Sequence, residues 1–396
     1  MNNLKYYKKY FHWAFFLLII VPKFNLIDIP GMVQGVRLDD ILIFSMLLAC
    51  GTNFSLPKQI WFFYFYIIII TIVGLINNNN EYQSLRLLSL LRVLEYLVVY
   101  SVARYSMDSQ GLLRLVKIVF WIEFFTMTAQ FVIGYSGAER SSGTTAGPWE
   151  GALLVCLCYI ILTHSEKITI SNFRLYSIVL CAMLYMTSAR AQIVAMVVIW
   201  IIFLQNMIFS KVMKIAFLVT VILIFTFFLA SIDIDYINFR RSYFYIADSY
   251  QEILEALLNE NVVFDRNTAN YDTISYDASL IARIGQWIYY LRSISEAYSS
   301  ILATIFGSGP NSAGIHLDGW YIKVFVDFGI LGLLLYIFFL AKMLGNYQYR
   351  FVGILILVSG LTLDLFWASK FTYLFLIFWG VQNRNNAHIV DYSIIK

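Results

Sequence analysis

The sequence predicts an all-α polytopic membrane protein with about 12 transmembrane helices and one large polar loop. Hydrophobic residues make up 60% of the chain and charged residues only 13%, whereas a soluble domain carries about 25% charge. The mean hydropathy is +0.72. Aromatic residues contribute 18%, and Trp and Tyr often lie near the ends of apolar runs, as at membrane interfaces. A soluble protein of this composition would expose large apolar patches, so we exclude that class.

A membrane-spanning helix needs about 20 apolar residues, with a range of about 17–25. The first run follows a basic N-terminal segment and has no small-residue cleavage site after it, so we expect it to be retained as an anchor. We find no internal repeats. The predicted spans lie near residues 11–27, 38–52, 60–76, 87–103, 113–134, 149–163, 173–188, 191–209, 213–232, 319–341, 350–365 and 367–381.

Lysine and arginine in short connections predict the orientation of the chain. The lysine-rich connections all fall on the side that holds both termini, which we therefore place in the cytoplasm. These residues are Lys5, Lys8, Lys9, Lys58, Arg104, Arg114, Lys117, Lys167, Arg174, Lys211, Lys214, Lys342, Arg350, Arg384 and Lys396.

The long polar segment between the ninth and tenth spans divides the chain into three predicted regions: 1–232, 233–318 and 319–396. Loops above about 15 residues usually have a function or a structure of their own. Residues 247–260 have a helical period, and Asp277 caps a long amphipathic helix. Glycine and proline at 307–310 predict the end of that helix.

The opposite face carries arginines but almost no lysine. Arg37, Arg86, Arg140 and Arg190 lie in its short connections, and five more arginines lie in the long loop. Guanidinium groups bind phosphate oxygens through paired donors, so an anionic ligand such as a lipid pyrophosphate is one interpretation. The alternative is that these arginines snorkel or pair with nearby acids.

No metal, nucleotide or nucleic-acid site is expected. The four cysteines lie inside apolar spans, without metal-ligand spacing. Gly307-x-Gly309 follows no strand, so it is no phosphate loop. His316 is the one histidine that we place on the outer face, just before the tenth span.

Several short segments occur in a fixed order around the long loop. Together they resemble the O-antigen polymerase and ligase superfamily of bacterial envelope glycan assembly, over residues 37 to 332. Two positions depart from its pattern: Pro148-Trp149-Glu150 replaces the common Pro-Asn, and Asp318-Gly319 replaces Asp-Asn. The segments are Arg37-Leu38-Asp39-Asp40-Ile41-Leu42, Arg140-x-x-Gly143-Thr144, Ser188-Ala189-Arg190, Arg283-x-x-x-Trp287 with Gly307-Ser308-Gly309, and His316-x-Asp318-Gly319-x-Tyr321 with Gly329-Ile330-Leu331-Gly332.

The resemblance implies a glycosyltransferase at the periplasmic face of the bacterial inner membrane. Its donor would be a growing glycan on undecaprenyl pyrophosphate, and its acceptor a lipid-linked repeat unit. Neither metal nor nucleotide is needed, because the leaving pyrophosphate is already activated. A chain-length regulator protein is left open as a further partner.

The resemblance and the chemistry together assign roles to seven residues. Arginines would stabilise the leaving pyrophosphate, a base would accept the proton of the acceptor hydroxyl, and aromatic rings would stack on sugars. The candidates are Arg283, Arg190 and Arg140 for the pyrophosphate, His316 or Asp318 for the base, and Trp287 and Tyr321 for the sugars.

Three other classes stay open. An O-antigen ligase would transfer the same donor glycan to the lipid A core, although Asp318-Gly319-x-Tyr321 looks more like the polymerase pattern. A flippase or transporter would account for the charges Arg92, Glu95 and Glu123 inside apolar spans. A receptor or structural membrane protein has no need of arginines on several outer loops.

Overall fold

The computed structural model describes residues 2–23, 25–27, 36–50, 58–77, 83–134, 140–165, 169–206, 287, 301–307, 309–310, 319–361, 363, 365 and 368–394. This part of the chain is mostly helical, which confirms the all-α prediction. One short antiparallel ladder pairs β1 (Asn25–Ile27) with β2 (Val36–Arg37). The predicted ninth span, and most of the long polar loop, lie outside the described residues.

The helices follow one another with short connections. They are α1 (Asn2–Ile20), α2 (Leu38–Cys50), α3 (Lys58–Asn77), α4 (Gln83–Ser106), α5 (Ser109–Ile133), α6 (Pro148–Ser165), α7 (Ile170–Thr187), α8 (Arg190–Asn206), α9 (Ile301–Phe306), α10 (Trp320–Gly345), α11 (Arg350–Ser359) and α12 (Ser369–Ile394).

Helix boundaries reflect local chemistry. α1 ends at Ile20 rather than at the predicted residue 27, because Pro22 cannot continue the backbone hydrogen-bond ladder. Asp108 caps α5 by accepting a hydrogen bond of 2.7 Å from the Gly111 N–H. The predicted end of the helix before residue 307 is confirmed, because α9 ends at Phe306 and Gly307 has φ +84°.

Two of the described helices are long and apolar enough to cross a membrane by length and composition: α5 and α10. Shorter apolar stretches occupy Lys9–Ile20, Pro148–His164, Arg190–Phe203 and Arg350–Ser359. These features are compatible with a membrane protein, and the count of twelve spans remains a prediction.

The helices belong to two compact units: Met1–Ala189 with Leu365–Lys396, and Arg190–Asp364. In the first unit, α6 is surrounded by α5, α7 and α12. Every side chain from Ala152 to Leu162 is buried, on all sides of the helix, as expected for a helix at the centre of a core. α4 and α12 pack closely, since a Cβ on Gly380 would lie 2.8 Å from the Tyr100 carbonyl oxygen.

In the second unit, α10 contacts both α9 and α11, and α11 contacts α8. α10 is interrupted at Gly329, whose φ of 66° and ψ of −170° are not helical. The turn after α9 packs into this break, where the Gly309 N–H donates to the Asp327 carbonyl at 2.9 Å. A Cβ on Gly329 would lie 2.5 Å from the Gly307 nitrogen, so both glycines are needed for this approach.

Candidate functional site

The seven predicted site residues have different fates. Arg283, His316 and Asp318 lie outside the described residues. Arg140 is exposed, and Arg190 is half-buried at the first position of α8. Half-buried Trp287 lies beside Gly319, since a Cβ there would be 2.8 Å from the indole nitrogen. This contact brings Trp287 to the start of α10, which carries Tyr321, whose hydroxyl donates to the Leu357 carbonyl at 2.8 Å.

The first unit contains a buried ion pair that the sequence interpretation missed. Glu150, in the first turn of α6, is fully buried, and both its carboxylate oxygens accept hydrogen bonds from the Lys23 ammonium, at 2.8 and 2.9 Å. The backbone N–H groups of Lys370 and Ala146 donate to the same carboxylate at 3.1 and 3.3 Å. A buried charge is tolerated only when it is paired and hydrogen-bonded, and Glu150 meets that condition fully.

Lys370 makes the second set of buried contacts. Its side chain is 1% exposed, and its ammonium donates to the Thr144 carbonyl at 2.5 Å, to the Thr144 hydroxyl at 3.1 Å and to the Ile20 carbonyl at 3.4 Å. The Thr144 N–H donates in turn to the Glu123 carboxylate at 3.0 Å, and the Thr144 hydroxyl donates to its other oxygen. Two lysines and two glutamates therefore share one buried network around Thr144, which we call the lysine cluster: Lys23, Lys370, Glu123 and Glu150.

The segment after Arg140 is held in place by further hydrogen bonds. The Gln130 amide oxygen accepts from the N–H groups of Ser142 and Gly143, at 3.0 and 2.8 Å, and its nitrogen donates to the Gly143 carbonyl at 2.8 Å. The Ser141 N–H donates to the Met186 carbonyl at 2.9 Å. Gly143 has φ +65°, and a Cβ there would overlap the Glu123 carboxylate. The Arg-x-x-Gly-Thr segment is therefore rigid, and it presents the exposed Arg140 at its start.

A second cluster surrounds Arg92 on α4. Its Nη1 atom lies 2.6 Å from Glu95, 2.8 Å from Asp40 and 3.4 Å from Asp39. The Tyr373 hydroxyl donates to Asp39 at 3.2 Å and lies 3.4 Å from Glu95. Arg92 is 1% exposed, which makes this a buried cluster with three acids and one base. We call it the arginine cluster: Asp39, Asp40, Arg92, Glu95 and Tyr373.

α12 connects the two clusters. Lys370 and Tyr373 are three residues apart on this helix, so they lie on the same face. Between α12, the end of α1 and the start of α2 lies a cavity of ≈ 10 Å³, whose polar lining comes from Lys23, Asp39, Ser369 and Lys370. The arrangement joins two segments that the resemblance selected, 37–42 and 140–144, through polar contacts inside one unit.

Part of this site has a signal in the sequence, and part has none. Arg92, Glu95 and Glu123 stand out as charges within apolar runs. Lys23 and Lys370 stand at the ends of such runs, where basic residues usually snorkel, so nothing in the sequence indicates that they pair with one buried glutamate. Glu150 was noted only as a departure from a family pattern.

A comparison with models of known protein families finds no match, and a comparison with curated proteins finds none either.

Proposed function

We propose that this protein is an O-antigen or surface-polysaccharide polymerase of the bacterial inner membrane. It transfers a growing glycan from undecaprenyl pyrophosphate to a lipid-linked repeat unit at the periplasmic face. It crosses the membrane about 12 times, with both termini in the cytoplasm. It works without metal or nucleotide, and its partners are the lipid-linked glycans, the bilayer and a chain-length regulator.

One observation carries this proposal. The segment with Asp39 and Asp40 and the segment with Gly143 and Thr144 are far apart in the chain, yet polar contacts of α12 reach both. Both segments belong to the resemblance with the polymerase and ligase superfamily. Their connection by buried charges is what a shared catalytic unit requires, because a site is precise only when its supporting groups are fixed.

The chemistry assigns the arginines to the leaving group. Departure of the pyrophosphate develops negative charge, which preorganised guanidinium groups stabilise. Arg283 is the first candidate, followed by Arg190 and Arg140. Arg140 is suited to this role because it is exposed at the start of a rigid segment.

The base and the sugar contacts come from the region before α10. His316 or Asp318 accepts the proton of the acceptor hydroxyl, and a neutral imidazole is well suited to that step near pH 7. Trp287 and Tyr321 offer aromatic faces to sugar rings. Their common position at the start of α10 supports this assignment.

The arginine assignment is tested by substitution in a purified assay of lipid-linked repeat-unit turnover. Arg283→Ala and Arg190→Ala should nearly abolish polymer while the protein level stays normal. Arg283→Lys should restore activity only partly, because lysine keeps the charge but loses the paired donors. The exposed cytoplasmic-side residue Arg174 provides the control, since Arg174→Ala should leave turnover unchanged. Normal polymer from both alanine variants would refute the pyrophosphate assignment.

The reaction class is tested by deleting the gene. A strain that makes lipopolysaccharide with a single repeat unit identifies a polymerase. Loss of all O-antigen from the core identifies a ligase instead, and unchanged glycan rules out both.

A lipid-linked oligosaccharide flippase or transporter is the second candidate function. The observation that favours it is the arginine cluster, because ionisable groups inside apolar helices commonly mark a transport pathway. Reconstituted protein that moves a fluorescent lipid-linked saccharide between leaflets without lengthening it would establish this function and exclude the polymerase.

A further inference from the structure

The charges of the first unit do not balance. The two clusters and the neighbouring Arg37 contain five carboxylates: Asp39, Asp40, Glu95, Glu123 and Glu150. Against these stand four cations among the described residues: Lys23, Arg37, Arg92 and Lys370. Five negative and four positive charges leave a formal charge of −1. Because an uncompensated buried charge is strongly unfavourable, the region needs one more positive charge.

The imbalance is local to the arginine cluster. In the lysine cluster, two lysines face two glutamates, and each glutamate accepts at least two hydrogen bonds. In the arginine cluster, three carboxylates share one guanidinium nitrogen. The missing positive charge therefore belongs with Asp39, Asp40 and Glu95.

The geometry within the arginine cluster selects two of these acids. Asp39 already receives the Tyr373 hydroxyl and Arg92. The side chains of Glu95 and Asp40 lie within hydrogen-bonding distance of each other. Two ionised carboxylates have no proton to share and repel each other, so such a contact is favourable only when one of them is protonated.

We propose that Glu95 and Asp40 share one exchangeable proton, which reaches water through Asp39 and the cavity beside Ser369. In the bound state Glu95 carries the proton and donates it to the Asp40 carboxylate, and the whole region is neutral. On release the O–H bond of Glu95 breaks, Asp39 passes the proton to a water molecule, and the region returns to −1. This proposal does not depend on the proposed polymerase activity.

The cavity supplies the path. Asp39 belongs to the arginine cluster and also lines the cavity, whose volume of ≈ 10 Å³ corresponds to about one water molecule. Ser369 lines it as well, is 3% exposed, and its hydroxyl has no hydrogen-bond partner among the described residues. A buried hydroxyl in a water-sized polar cavity is the usual position of an internal water, which bonds to groups that lack other partners.

The surroundings of the shared proton contain few other titratable groups. α2 contributes Asp39, and α12 contributes Tyr373 and, on the cavity side, Lys370. α4 contributes Arg92 and Tyr96, and Tyr64 of α3 acts electrostatically on Tyr96. The Arg37 N–H donates to Asp40 at 2.8 Å, from the end of β2. None of these groups supplies a second cation in direct contact with Glu95 within the described ranges.

Infrared spectroscopy of the purified full-length protein tests the site directly. A protonated carboxyl group absorbs at a frequency distinct from that of a carboxylate, and the band shifts in heavy water. We expect wild-type protein at neutral pH to show such a band and Glu95→Gln to lack it. The control Asp108→Asn, which changes an exposed carboxylate, should keep the band.

Two further variants make the outcome decisive. Asp40→Asn removes the partner of Glu95, so its band should shift or disappear even if Glu95→Gln fails to fold. Ser369→Val removes the hydroxyl and narrows the cavity, so the band should persist but exchange with heavy water several-fold more slowly. A band that is unaltered in both Glu95→Gln and Asp40→Asn overturns the site, and unchanged exchange in Ser369→Val overturns the path.

Discussion

Replacement of Glu150 by glutamine tests the lysine cluster most directly. The change removes the buried charge that pairs with Lys23, but the amide keeps one oxygen for the backbone N–H groups of Lys370 and Ala146. Breaking a buried ion pair by removing one partner costs about 3–5 kcal/mol. Because glutamine still accepts a hydrogen bond, we expect a loss of about 3 kcal/mol, at the lower end of that range.

The measurement is a double-mutant cycle on thermal unfolding in detergent micelles. Glu150→Gln and Lys23→Met should each lower the apparent melting temperature. The double variant should lose less than the sum of the two, with an interaction energy of about 0.5–3 kcal/mol. The control Lys117→Met changes an exposed lysine of α5 and should alter stability by no more than about 0.5 kcal/mol.

Two results would refute this reasoning. Wild-type melting of Glu150→Gln would mean that its carboxylate is not a buried counter-ion. Simple additivity in the double variant would mean that the two side chains do not interact, despite their separation of 2.8 Å in the structure.

The remaining predictions concern orientation, the rigid segment and the base. A cysteine at Asn270 should react with a membrane-impermeant thiol reagent from the periplasm and one at exposed Asn172 should not, and reversed labelling would invert the topology. Gly143→Ala should destabilise the protein by more than Gly134→Ala. Both sites have positive φ, which costs about 1–2 kcal/mol, but only at Gly143 does the new Cβ meet Glu123; equal effects would contradict the packing. His316→Ala should slow turnover about 10²–10⁴-fold, and His316→Gln should do no better; near-normal turnover would move the base elsewhere.

The sequence was informative wherever structure follows from a local pattern. Apolar runs predicted helices close to α4, α5 and α6, because each helix satisfies its own backbone and needs only local residues to do so. The stop before Gly307 was predictable for the same reason, since only glycine adopts that backbone angle at little cost. Pro22, by contrast, was visible in the sequence but was not given enough weight, and α1 ends before it.

The partners of the buried charges were not predictable in this way. Lys23 and Glu150 are separated by 127 positions, and Lys370 and Thr144 by 226. Such contacts depend on which helices pack together, and the apolar faces of these helices carry no periodic signal that selects a neighbour. The break of α10 at Gly329 was missed for a related reason, because its cause is the packing of Gly307 from another element.

These polar contacts determine the register of α12 within the first unit. Apolar packing is non-directional and tolerates substitutions of similar volume, so a helix in such a core is free to shift at modest cost. Lys370, however, donates from its side chain to Ile20 and Thr144 and from its backbone to Glu150. A shift of α12 by one residue moves it about 1.5 Å and rotates it about 100°, which breaks all of these contacts and leaves a buried ammonium. Tyr373, three residues further on, would leave Asp39 in the same movement. The two clusters therefore select one alignment from several that the apolar pattern allows, and that alignment also places the rigid segment that begins at Arg140.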